Sequence, residues 1–218
     1  MDLFPPPARE PVFNVPGSVW GMIAVLVAIH LGLYLAAVPF AAVEPYAFVP
    51  ARYIAPDAQG LPAWELLLPP FSHIFLHGSF LHLTVNCLWL LAFGPVVARR
   101  CGGLRFGLFF LVCGLGGAAL ELVLAWDLDA PMIGASGAIS GLMAAAFRMM
   151  NRPHQTANRL TPILSRPILL FSALWLATNL LFAFIGLGVG AGQSIAWQAH
   201  MGGYFVGLFT IGLFLRRV

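Results

Sequence analysis

Gly134-Ala135-Ser136-Gly137-Ala138-Ile139-Ser140-Gly141-Leu142-Met143-Ala144-Ala145-Ala146-Phe147-Arg148 reads as an apolar helix that is too short for its surroundings. About fifteen residues separate Gly134 from the arginine-bearing segment that follows, whereas a helix crossing a bilayer needs about 20. The start of this helix is therefore expected below the membrane surface. A helix that begins there has backbone N–H groups without partners, and lipid cannot satisfy them, so its entrance must face protein or water. Ser136 is accordingly expected in a wet cavity.

The lipid setting follows from composition. A chain of 218 residues that is 60% hydrophobic and 9% charged cannot enclose its apolar surface in a water-soluble globule. The reading is an all-α, polytopic membrane protein with six segments, at roughly 17–40, 79–98, 104–125, 134–150, 167–188 and 195–215, that cross or nearly cross the bilayer. Six helices make one bundle, so residues 17–218 form one membrane-embedded domain after a tail at 1–16. Met1-Asp2-Leu3-Phe4 is followed by three prolines and no basic run, so the first segment reads as a retained anchor rather than a cleaved signal.

Every cation is arginine. Arg9 precedes segment 1, Arg99, Arg100 and Arg105 join segments 2 and 3, Arg148, Arg152, Arg159 and Arg166 join segments 4 and 5, and Arg216 and Arg217 close the chain. The other side carries Arg52 with Glu44, Asp57, Glu65, Asp127 and Asp129. The positive-inside rule then places both termini in the cytoplasm. These arginines read as a face anchoring the protein to the lipid bilayer, and no nucleic-acid partner is expected. Cys87, Cys101 and Cys113 form no CxxC pair, so neither a zinc site nor a disulfide framework is read from them.

Segments 2, 4 and 6 enter from the same acidic side, so residues one or two turns into each share a depth. Those residues include His82 and Asn86, Ser136, and His200 in Ala199-His200-Met201-Gly202-Gly203. At ~1.5 Å per residue, His200 lies on the order of 8 Å below the start of its helix. Gly137 and Gly141 form one GxxxG pair, and Gly203 and Gly207 another on the face of His200, which lets the two helices approach closely. A serine next to a histidine is a nucleophile next to a base. His82 and Asn86, four residues apart, share a helical face and can donate hydrogen bonds towards one point, as can the Ser136 N–H at a positive helix terminus.

The pattern His77-x4-His82-x3-Asn86, Gly134-x-Ser136-Gly137 and Ala199-His200-x2-Gly203-x3-Gly207 resembles the signature of the rhomboid intramembrane serine proteases, in order and spacing, over about 140 residues. The resemblance implies a compact, bacterial-type six-helix bundle. Its implied activity is serine endopeptidase cleavage of transmembrane protein substrates near the outer face by a Ser136–His200 dyad without a third carboxylate. His82 and Asn86 match the family's oxyanion-stabilising positions, with His77, Gly134, Gly137, Gly203 and Gly207 in support. No cofactor and no metal is implied, and the implied home is a bacterial inner membrane. Two departures stand out. Leu68-Pro69-Pro70 precedes His73 where the family often carries Trp-Arg, and Ser140 occupies a position often held by an aromatic residue beneath the histidine. His200 is then oriented by a hydroxyl or by another helix.

Other readings compete. A metal site at His73, His77, His82 and His200 lacks HExxH or a neighbouring carboxylate, so His77 is expected to order the entrance of segment 2 instead. A catalytically inactive rhomboid-like binder of transmembrane helices, or a transporter, would use the same cavity without bond cleavage. Glu121, the only carboxylate inside an apolar segment, either hints at transport or bonds a neighbour near the outer end of its helix. The 41–71 loop, with Trp64-Glu65-Leu66-Leu67-Leu68, lies partly in the membrane interface or is a surface connector. The glycine-rich 186–192 stretch is a cap over the cavity or a turn.

Overall fold

The structure, a computed structural model, describes residues 14–54, 56, 60–150, 160–185 and 196–216. Among them are six long helices: α1 (Gly17–Leu35), α2 (Phe80–Cys101), α3 (Gly103–Leu124), α4 (Ser136–Met150), α5 (Arg166–Phe184) and α6 (Trp197–Phe214). α1, α2, α3 and α5 are long and apolar enough to cross a membrane, which makes this an integral membrane protein. α4 has 15 residues. α6 has 18 and opens with Gln198 and His200 among its apolar residues.

Helix ends follow local chemistry. α1 stops at Leu35, short of the expected residue 40, where Ala37 takes a positive φ of 49° and Pro39 follows, a residue that resists helix at and just before itself. Ser79 caps α2 by accepting the His82 N–H at 3.1 Å, which fixes where His82 enters the helix. α2 runs on to Cys101 and is ended by Gly102 in a left-handed conformation, φ 80°. The 1–16 tail is described only from Asn14, and the glycine-rich 186–192 stretch lies outside the described residues.

α4 is the shaft of the bundle. From Gly137 to Met149 every residue except Phe147 is buried. Protein surrounds this short helix, as the expectation of a start below the membrane surface demands. α6 packs chiefly against α3 and α4 at backbone distance. A Cβ added to Gly203 would overlap the Gly137 carbonyl oxygen, one on Gly207 that of Gly141, and one on Gly202 that of Gly116 in α3. Contacts this close exclude every side chain at those positions. By contrast, α5 buries only Ile168 and Asn179 among its 19 residues.

The two described chain ends and the α2–α3 turn gather at one end of the bundle. Arg99 bonds the Asn14 carbonyl, Arg105 bonds that of Leu215, and the Arg216 N–H donates to Arg100 O at 3.1 Å. Arg148 differs from the expected anchoring face, for it is buried. Its Nε donates to Thr161 O at 3.1 Å and its Nη1 to Leu208 O at 2.6 Å, so the guanidinium fork ties the end of α4 to α6 and to the segment before α5. Hydrogen bonds to charged groups contribute about 1.5–3 kcal/mol each. Arg148→Ala is therefore expected to lower the melting temperature in detergent by several degrees, and Arg148→Lys to recover part of the loss because one ammonium does not reproduce the fork. Equal melting of wild type and Arg148→Ala would refute the role.

The described residues of the 41–71 loop are folded. Phe48 pairs with Met132 through two backbone bonds, Phe48 N–H to Met132 O at 3.0 Å and the reverse at 2.8 Å. Phe48 is buried with Ala118, Met132 and Ala199, so the loop seals the C-terminal end of α3 and the N-terminal end of α6. The Tyr53 hydroxyl donates to Leu66 O at 2.8 Å, and Glu44 pairs with Arg52. Leu67 and Phe71 stay exposed, an apolar edge suited to the headgroup boundary.

Candidate active site

Ser136 and His200 meet. Ser136 begins α4, His200 lies in the first turn of α6, and the hydroxyl oxygen is 2.8 Å from His200 Nε2. The glycine crossing explains the approach. Gly137, directly after Ser136, and Gly203, one turn after His200, are where the two backbones touch, and any Cβ there would push the helices apart.

The other imidazole nitrogen, Nδ1, lies 2.8 Å from Asn179 Oδ1 on α5. Another helix, rather than Ser140, therefore orients the histidine. The Ser140 hydroxyl instead donates to Ser136 O at 2.8 Å, an ordinary bond within a helix turn. Asn179 did not emerge from the motifs. The available signal was chemical: it is the sole amide in an apolar helix, and such a group needs a partner inside a membrane.

His82 flanks the serine turn. Gly134 has φ 121°, and a Cβ on it would lie 2.7 Å from His82 Nε2. Both the backbone conformation and the neighbouring ring therefore require glycine. The Gly134 N–H donates to His73 O at 2.9 Å, tying the chain ahead of α4 to the segment that leads into α2. Asn86 is buried and its Nδ2 donates to His82 O at 2.9 Å. One hydrogen of that amide is used in this way and the second is free of that bond.

His77 is buried, edge-on to His82 at 5.1 Å and to His30 of α1 at 6.4 Å. Among the described residues neither ring nitrogen has a partner at hydrogen-bond geometry. His30 had not been singled out because nothing in the sequence brings α1 to this site. His73 is engaged elsewhere: its Nδ1 donates to Pro69 O at 2.9 Å, and burial pushes its pKa down to about 4, so the ring is neutral at ordinary pH. Among the described residues no three His, Cys, Asp or Glu side chains are grouped to hold a metal ion. Glu121 is buried beside the Ala199 backbone, and its Oε2 has no hydrogen-bond partner among the described residues.

Apolar helices packed around a half-buried serine and histidine define an integral membrane protein with a polar site within its bundle. The Rhomboid domain family matches residues 63–217, and the chain belongs to the rhomboid family. It is 30% identical over 155 residues to RHOMBOID-like protein 5 of Arabidopsis thaliana, covering 71% of this chain and 45% of that protein. It is 30% identical over 159 residues to RHOMBOID-like protein 6, mitochondrial, of the same plant, covering 72% and 45%. With the Rhomboid protease GlpG of Salmonella choleraesuis (strain SC-B67) it shares 29% identity over 139 residues, 63% of this chain and 45% of that protein. The match spans less than half the length of each relative.

Proposed function

We propose that this protein is an intramembrane serine endopeptidase that cleaves transmembrane segments of other membrane proteins near the outer face. The observation that carries the reading is the 2.8 Å approach of Ser136 Oγ to His200 Nε2 at the submerged start of α4. In this reading all six long helices cross or enter the bilayer. The arginine-rich end faces the cytoplasm, with both termini on that side, and the membrane is a bacterial inner membrane.

The mechanism follows from the site. His200 Nε2 takes the Ser136 proton as the hydroxyl attacks the scissile carbonyl, and returns it to the leaving amine. The tetrahedral oxyanion is stabilised by the Ser136 N–H at the helix terminus, the second Asn86 amide hydrogen and His82. Water then hydrolyses the acyl-enzyme, His200 again serving as base.

A substrate helix hides its carbonyls in its own hydrogen bonds, so it must unwind locally before attack. A glycine costs about 1 kcal/mol of helix stability relative to alanine, so a Gly-containing transmembrane substrate is expected to be cut severalfold faster than its polyleucine counterpart. Equal rates in reconstituted vesicles would overturn that preference. Covalent labelling by a fluorophosphonate serine probe tests the activity itself. If the folded wild type stays unlabelled and leaves a model transmembrane substrate intact, the reading gives way to that of an inactive binder of transmembrane helices.

A further inference from the structure

We propose that Asn179 is a positioning residue for His200, holding the imidazole in the one tautomer that can accept the serine proton; the inference rests on the protease reading above. Three bonds carry it. Asn179 Nδ2 donates to the Trp175 carbonyl at 2.9 Å, Asn179 Oδ1 faces His200 Nδ1 at 2.8 Å, and His200 Nε2 faces Ser136 Oγ at 2.8 Å.

The direction of the whole chain is set by its first link. A main-chain carbonyl only accepts, so the Asn179 atom facing Trp175 O is the NH2 group and the atom facing His200 is the carbonyl oxygen. That oxygen also only accepts, so His200 Nδ1 carries the hydrogen. In a neutral imidazole the proton on Nδ1 leaves the Nε2 lone pair open, directed at the Ser136 hydroxyl. A neutral amide thus performs the tautomer selection that a carboxylate performs in a three-membered serine site.

The fold supports a specific role over general adhesion. α5 buries two residues, and one of them is this amide, although an amide is a poor choice for an apolar contact. α5 is already tied to α6 elsewhere, by the Ser172 and Tyr204 hydroxyls at 2.7 Å. The two helices thus share a polar tie that is independent of Asn179. Because Asn179 rides on the least-buried of the long helices, the seating of α5 decides whether His200 is poised.

Fluorophosphonate labelling rates of wild type, Asn179→Leu, Asn179→Asp and Tyr204→Phe test the proposal, alongside 15N spectra of His-labelled protein with His200 assigned by substitution. Asn179→Leu is expected to label about 10–100-fold more slowly, as for loss of a residue that orients a functional histidine, and to lose the single Nδ1–H signal. Asn179→Asp, which still accepts from Nδ1, is expected to restore most of the rate. Tyr204→Phe, which cuts the other α5–α6 tie, should change melting but not the rate of folded protein. An Asn179→Leu variant that labels at the wild-type rate or keeps the Nδ1–H tautomer, or an Asn179→Asp variant as slow as Asn179→Leu, would overturn the proposal. The spectrum needs no turnover. An unlabelled wild type defeats the protease reading alone, whereas a wild-type His200 protonated on Nε2 defeats the positioning role.

Discussion

Ser136→Ala and His200→Ala are each expected to abolish cleavage of a transmembrane substrate and labelling by a fluorophosphonate, and the double variant is expected to be no worse than either alone. A nucleophile and its base act as one unit, so removing either forfeits the whole of their joint contribution, on the order of 10⁶-fold in kcat. The 2.8 Å Ser136–His200 bond is the basis for expecting such non-additivity. The measurement is a comparison of the three variants under conditions sensitive enough to detect residual turnover, with folding checked by melting in detergent. Additive losses, or a His200→Ala protein that still labels at the wild-type rate, would mean that the serine is activated by some other group. His82 is the nearest alternative, since its ring borders Gly134.

The second large effect concerns packing. Gly203→Val is expected to destabilise the bundle and to remove activity although both reacting side chains remain. A Cβ at Gly203 would overlap the carbonyl oxygen of Gly137, and the Cys113 carbonyl stands 3.1 Å away on the α3 side. Overpacking against side chains costs about 1–3 kcal/mol. The obstacles at Gly203 are backbone atoms of two helices, which cannot turn aside as a side chain does, so the cost belongs above that range. The displacement also separates Ser136 from His200. Gly107→Ala provides the contrast: nothing lies within 4 Å of the added carbon, and the substitution is expected to hold or slightly raise the melting temperature through better helix propensity. Indistinguishable melting of Gly203→Val and wild type would show that the α4–α6 crossing is looser than its geometry implies.

The sequence by itself determined the all-helical membrane class, the shortness of α4 and the pairing of Ser136 with His200 across two glycine-bearing helices. These properties are one-dimensional: apolar run length, the spacing of glycines along a helix, and the distribution of arginines. They survive without knowledge of which helix neighbours which. The glycines of α4 and α6 were legible as a means of close approach because a missing side chain has the same meaning wherever the helix packs.

Only the tertiary structure decided what surrounds that pair. Asn179 reaches His200 because α5 lies against the N-terminal half of α6, and His30 reaches His77 because α1 lies against the start of α2. Neither adjacency is encoded by periodicity, since a helix apolar on all sides shows no preferred face. Arg148 was legible as a charge but not as a buried one. Its turn inward depends on the Leu208 and Thr161 carbonyls lying within reach of its fork, and a carbonyl is present at every position of the chain. Side-chain chemistry was thus readable from sequence wherever it acts through its own type and spacing. Where the partner is backbone, or a residue on a helix without a marked face, the fold alone makes the choice.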